Sequence, residues 1–146
     1  MSYLDKLIEQ LSDFNRFYTV MQGFFEPKFL DTDYSVVEIR ILYEIYNNPG
    51  CTAKKLTQTL RFDKGYISHR IKEFEKKGFI SKEYLTGDKR VQSLYLTIKG
   101  EKLVSELTDK NNQRLASMLK ELSEEECAEM SVAMDTIMRI LSKERN

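Results

Sequence analysis

A chain of 146 residues suits one domain of ordinary size, long enough to bury a sizeable core without disulfide or metal staples. With 41% apolar and 32% charged residues it is not disordered by composition, and its uncharged runs reach only nine residues, as from Phe17 to Phe25, about half of the roughly 18 that a membrane-spanning helix needs. The 23 basic and 23 acidic side chains cancel overall but not along the chain: residues 1–50 carry a net −4, residues 51–100 a net +7 and residues 101–146 a net −3, the pattern of a phosphate-binding module inside a scaffolding or dimerising frame.

Apolar residues at helical spacing from Leu4 to Phe25 predict one long N-terminal helix, ending before Pro27. Ser35 with Glu38 forms a capping box for a second helix, whose stripe runs through Val36, Ile39, Leu42, Tyr43 and Tyr46 until Asn48-Pro49-Gly50 stops it. Thr52 can cap a short third helix carrying Leu56 and Leu60. Asp63 can cap a fourth with Ile67, Ile71 and Phe74 inward, closed by Gly78. Two helices joined by so short a turn make a helix-turn-helix. The period then changes: Phe79 to Thr86 and Val91 to Thr97 are rich in β-branched and aromatic residues, with Gly87-Asp88-Lys89-Arg90 as the turn of a hairpin, which makes a wing. Thr97 opens a fifth helix, and Ser123 with Glu126 caps a sixth carrying Cys127, Met130, Met134, Ile137, Met138 and Leu141.

The expected architecture is therefore mainly α, a winged helix-turn-helix with long N- and C-terminal dimerisation helices: six helices plus a β-hairpin wing. Residues 1–146 form a single domain, with 34–98 the winged helix and 1–33 and 99–146 the dimerisation helices. Their apolar stripes must bury against something, and a two-fold copy of the same helices is the simplest cover.

On a helical wheel the fourth helix turns Gly65, Ser68, His69, Lys72 and Lys76 away from its apolar side, with Lys64 at its start. Ser and Lys donate to phosphates or base edges, neutral His donates or accepts, and Gly lets backbone come close, so this face suits the major groove of double-stranded DNA. At the hairpin tip, Arg90 on a thin projection suits a minor groove, with Asp88 beside it to hold its direction and Lys89 adding charge.

These features together resemble the MarR family of dimeric winged-helix transcription regulators. The resemblance rests on the order of helices, on Asp88-x-Arg90 in the wing, on Leu96-Thr97-x-x-Gly100 after it and on Phe74-Glu75-x-x-Gly78-Phe79-Ile80 before it. Phe14-Asn15-Arg16-Phe17-Tyr18-Thr19, Leu42-Tyr43-Glu44 and Gly65-Tyr66-Ile67-Ser68 look most like the branch that carries an acetyltransferase behind the regulator, for which a chain ending at Asn146 has no room; His69 departs from the arginine of that branch. The resemblance implies a homodimeric repressor on a palindromic operator, with an unidentified small-molecule effector in a pocket between dimer helices and winged helix. The alternative is a winged helix used for protein contact, docking an acetyltransferase in trans.

Catalysis has no supporting motif. Ser68 and His69 are adjacent on one helix, so the imidazole cannot align on the serine, and Glu124, Glu125 and Glu126 serve a helix start. Two well-separated cysteines and one histidine make no zinc cluster, and no cofactor is expected. The start, Met1-Ser2-Tyr3-Leu4-Asp5, lacks the regions of a secretion signal, so a cytoplasmic location without membrane attachment is expected. Cys51, just before a helix start, is a candidate redox sensor because the positive dipole end lowers a thiol pKa, whereas Cys127 on an apolar stripe is expected to be buried. Phe14, Tyr18, Tyr43 and Tyr46 are the candidate effector-pocket residues, the phenols offering apolar area with a polar handle.

Overall fold

The computed structural model describes residues 2–85 and 88–143, giving only the backbone for 85 and 88–90. The chain divides into two compact units, Met1–Thr108 and Asp109–Asn146.

In the first unit, α1 (Tyr3–Met21) starts at a capping box in which Ser2 Oγ accepts from the Asp5 N–H at 3.2 Å and the Asp5 carboxylate accepts from the Ser2 N–H at 3.1 Å. Asp5 is held below the usual carboxylate range by these Ser2 hydrogen bonds. The helix ends four residues before Phe25. Gly23, at φ 71°, turns the chain left-handed, and the Phe24 N–H reaches Thr19 O at 3.1 Å while the Gly23 N–H reaches Val20 O at 3.0 Å. Phe25 keeps helical spacing in the sequence, which is why the apolar pattern overruns this stop.

Ser35 and Glu38 form the expected capping box of α2 (Val36–Asn47). Its buried face is Ile41, Leu42 and Ile45, not the stripe through Tyr43 and Tyr46, which are close to half exposed. The core direction lies about one residue step, roughly 100°, from the predicted one. Three aliphatic side chains fit the interior, and the two phenols keep their hydroxyls outside.

Thr52 caps α3 (Ala53–Leu60), Asp63 caps α4 (Lys64–Lys76), and Ile67, Ile71 and Phe74 point inward as expected. Gly78, at φ 83°, ends α4, with the Phe79 N–H on Phe74 O at 2.9 Å.

The wing pairs β1 (Ile80–Leu85) antiparallel with β2 (Asp88–Leu96), from Ile80 opposite Leu96 to Tyr84 opposite Gln92, with an irregularity before Leu85 meets Asp88. Asp88, Lys89 and Arg90 thus lie in the second strand rather than in the turn; ladder pairing holds the backbone further out than side-chain composition suggests. The segment after α2 adds a short third rung: the Gly50 N–H donates to Leu94 O and the Leu94 N–H to Cys51 O, each at 2.8 Å.

At the wing base Thr97 Oγ1 donates to Gly78 O at 2.6 Å and accepts from the Gly100 N–H at 3.0 Å, opening α5 (Ile98–Leu119). Ile41, Leu42, Ile45, Leu56, Ile67, Ile71, Phe74, Phe79, Ile80, Leu94, Val104 and Leu107 form one core cluster. Fully burying a side chain of this kind contributes about 2 kcal/mol, so the winged helix has its own centre of stability. No described residue of α1 is buried, and its Leu4, Leu7, Ile8, Leu11, Phe14 and Phe17 remain exposed.

The second unit holds the rest of α5 and α6 (Glu124–Ser142), which starts at a Ser123 and Glu126 capping box with three glutamates in its first turn. None of its described residues is buried; Met130, Met134, Ile137, Met138 and Leu141 form an open apolar stripe, and Cys127 is exposed rather than buried. An apolar stripe buries a side chain only where something lies against it.

Candidate nucleic-acid interface

Helix α4 is presented by the turn that precedes it. Arg61 closes α3 in the left-handed region at φ 55°, Phe62 tucks against Tyr66 with ring centroids 5.7 Å apart, and the Asp63 carboxylate accepts the Tyr66 N–H at 3.1 Å. Anchored by Ile67, Ile71 and Phe74, the helix leaves Lys64, Gly65, His69, Lys72 and Lys76 exposed, with Ser68 half-buried. The face expected from the wheel is the face that the packing leaves open. Gly65 sits close to the Asp63 cap: a Cβ there would be 3.0 Å from the carboxylate, so the small residue serves the cap as well as any close approach.

The basic count of the middle segment overstates its free charge. Arg70 pairs with Glu38 at 3.3 Å and Lys82 with Glu75 at 3.3 Å, both cations largely covered. Lys77 lies over the Tyr34 ring at 5.3 Å, and Lys99 lies over Phe79 at 5.1 Å while donating to Lys77 O at 2.9 Å. Arg70 and Lys82 are thus engaged within the fold, whereas Lys77 and Lys99 stay exposed beside their rings. Among the described residues, Lys54, Lys55, Arg61, Lys64, Lys72 and Lys76, on α3, the connecting turn and α4, are exposed cations outside these contacts. The side chains of Asp88, Lys89 and Arg90, expected at the wing, lie outside the described residues.

Arg70, which the helical wheel did not single out, is a further residue of this site. Its Nη1 donates to Glu38 Oε2 and its Nη2 meets His69 Nδ1 at 2.8 Å, with the guanidinium 5.5 Å from the Tyr66 ring centre. No local signal reveals this, since Glu38 is 32 residues away.

For Cys51 the expected direction is reversed. Burial pushes its thiol up, the nearby Glu44 charge adds to that, and its own backbone hydrogen bond opposes it only in part. A raised thiol pKa means less thiolate, the opposite of what a reactive redox cysteine needs. Phe14, Tyr18, Tyr43 and Tyr46 are each 44–49% exposed, and Phe14 stacks on Tyr18 at 5.6 Å. They form open apolar surface on α1 and α2. Among the described residues no group of three or more His, Cys, Asp or Glu is placed to hold a metal ion, and no helix is long and apolar enough to cross a membrane.

Residues 35–91 match the MarR family model. HTH-type transcriptional regulator BilQ of Clostridium symbiosum (strain WAL-14163) is 30% identical over 93 residues, covering 62% of this chain and 65% of BilQ, just under two thirds. The uncharacterized HTH-type transcriptional regulator YybA of Bacillus subtilis (strain 168) is 26% identical over 117 residues, covering 80% of this chain and 78% of YybA. In fold, the chain is similar to Streptococcus pneumoniae FabT, solved in complex with DNA: the TM-score is 0.69 at 21% identity, covering 96% of this chain and 98% of that one.

Proposed function

We propose that this chain, whose residues 35–91 match the MarR family model, is a MarR-family DNA-binding transcriptional regulator, a homodimeric repressor that occupies a palindromic operator and leaves it when a small molecule binds. The observation that carries the reading is the exposed face of α4, where Lys64, Gly65, His69, Lys72 and Lys76 stand clear of a helix fixed by its buried side, with Lys54, Lys55 and Arg61 close by in the chain. Half-buried Ser68 can add a hydroxyl to this row. Ammonium groups on one helix face neutralise phosphates, and the imidazole between them can meet a base edge.

In this reading residues 34–98 meet the DNA, with Asp88, Lys89 and Arg90 of the wing reaching an adjoining groove. Residues 1–33 and 99–146 pair two copies, which covers the open stripes of α1 and α6 and gives two recognition helices related by a two-fold, hence the palindrome. The release step rests on the exposed rings Phe14, Tyr18, Tyr43 and Tyr46, which offer a small molecule apolar area and phenol hydroxyls. The activity is binding and not catalysis, in line with the regulators to which the chain is similar.

A salt titration of binding to random duplex tests the reading. Counterion release makes the logarithm of affinity fall steeply and linearly with the logarithm of salt, by about 0.9 per phosphate contacted. A flat response, or no binding at low salt, would assign the winged helix to protein contact instead.

A further inference from the structure

Arg70 links three things the recognition helix depends on. Its guanidinium sends Nη1 to Glu38 Oε2 at 3.3 Å and Nη2 to His69 Nδ1 at 2.8 Å, and it lies over the Tyr66 ring at 5.5 Å. Glu38 is itself fixed, because its other oxygen, Oε1, accepts the Ser35 N–H at 2.9 Å in the capping box of α2. Side chains of both partners are well covered, 27% exposed for Arg70 and 17% for Glu38, so the pair has little freedom to let go. The fork is planar and aims its donors in fixed directions, which carries the order of the α2 cap to the imidazole.

The chemistry of that last contact sets the ring. A guanidinium donates and never accepts, so His69 Nδ1 must be the acceptor and hold no proton. The hydrogen of the neutral ring is then on Nε2, the nitrogen on the far side from Arg70. We infer that Arg70 is a positioning residue that locks His69 in the Nε2–H form, so that the imidazole presents only a donor to whatever α4 meets. This rests on the reading of α4 as the helix that enters the major groove. An imidazole free to exchange its proton offers a donor or an acceptor and reads bases loosely. A locked one matches guanine, whose N7 and O6 both accept, and is opposed by cytosine, whose N4 amine donates.

The chain contains a single histidine, so nitrogen NMR of full-length protein with an isotope-labelled imidazole reports His69 without ambiguity. At about pH 8.5, where ordinary imidazoles are neutral, the wild-type ring is expected in the Nε2–H form alone. Arg70→Lys keeps the positive charge toward Glu38 but has no fork, and Arg70→Met has no donor; both are expected to show mixed tautomers with unchanged circular dichroism. In selection from a random duplex pool, wild type is expected to prefer guanine over cytosine at one base step by about tenfold or more, a preference that Arg70→Lys and His69→Ala lose.

A wild-type ring in the Nδ1–H form overturns the proposal, as do variants that keep the pure Nε2–H form or the guanine preference. So does an Arg70→Met protein that keeps the preference while its salt slope on random duplex falls by about one, the mark of a direct phosphate contact. If wild type binds no duplex, the DNA reading falls and the base preference with it, whereas the ring measurement on the free protein still decides the lock by itself.

Discussion

Gly100 lies where α5 leaves the wing, and a Cβ there would come within 2.1 Å of the Phe79 carbonyl oxygen and 3.0 Å of its carbon. Both are backbone atoms, so relief requires moving the strand start or the helix start, and both are tied to Thr97. Gly100→Ala is expected to destabilise the protein by about 3 kcal/mol in urea denaturation, the upper range for overpacking. A loss below about 1 kcal/mol would mean the junction is more pliant than these distances allow. Cys51 makes a second test at this scale. Burial favours its neutral thiol, so the folded pKa lies above the unfolded one; the stability this contributes is complete below the ordinary thiol value of about 8.5 and is lost as pH rises through the folded value. In a Cys127→Ser background, Cys51 should react with a thiol reagent more slowly in the native protein than in urea at about pH 8. Equal rates would contradict the burial argument.

At the scale of elements, α4 and β1 carry lysines of different kinds. Lys76 is exposed on the open side of α4, whereas Lys82 on β1 is turned to Glu75 at 3.3 Å, with its side chain 17% exposed. If α4 faces phosphates, Lys76→Ala lowers the salt slope of duplex binding by about one. Lys82→Ala leaves that slope nearly unchanged and instead frees Glu75, costing under about 1 kcal/mol because the carboxylate is itself partly exposed. Both are measured by the same titration, and equal slopes for the two variants would show that exposure does not sort the cations of this segment.

At the scale of the whole molecule, the apolar stripes of α1 and α6 lie open. Leu7, Leu11 and Phe14 on the one, and Met134, Ile137 and Leu141 on the other, are each more than 40% exposed, and a run of such residues on a helix needs a cover. With a second copy as that cover, Leu11→Glu and Ile137→Glu each place a charge in a dry contact. Each is expected to weaken dimerisation at least tenfold in sedimentation equilibrium, about 1.4 kcal/mol or more. The core of α2, α4 and the wing contains neither residue, so far-ultraviolet circular dichroism of the winged helix should survive. A wild-type chain that sediments as a folded monomer at micromolar concentration would remove the two-fold from the functional reading.

Signals that act within a few residues were legible directly. The caps at Ser35, Thr52, Asp63 and Ser123 each join a side chain to an N–H three positions on, the stop at Gly78 needs only a positive φ, and the change of period after it announces the wing. The open face of α4 followed from the same logic, because three buried positions on a short helix define its opposite side. What only the tertiary structure decided involves partners far apart in the chain or choices between similar apolar side chains. The pairing of Arg70 with Glu38, the rung between Cys51 and Leu94, and the tying of Lys82 to Glu75 depend on which elements pack together. The burial of Ile41 and Ile45 in place of Tyr43 and Tyr46 depends on volume and on where a hydroxyl can reach water, quantities that periodicity does not contain. Charge shows the same division: its concentration in residues 51–100 is a property of the sequence, but which of those cations remain available is a matter of packing, since a lysine beside a glutamate and a lysine facing solvent are the same letter.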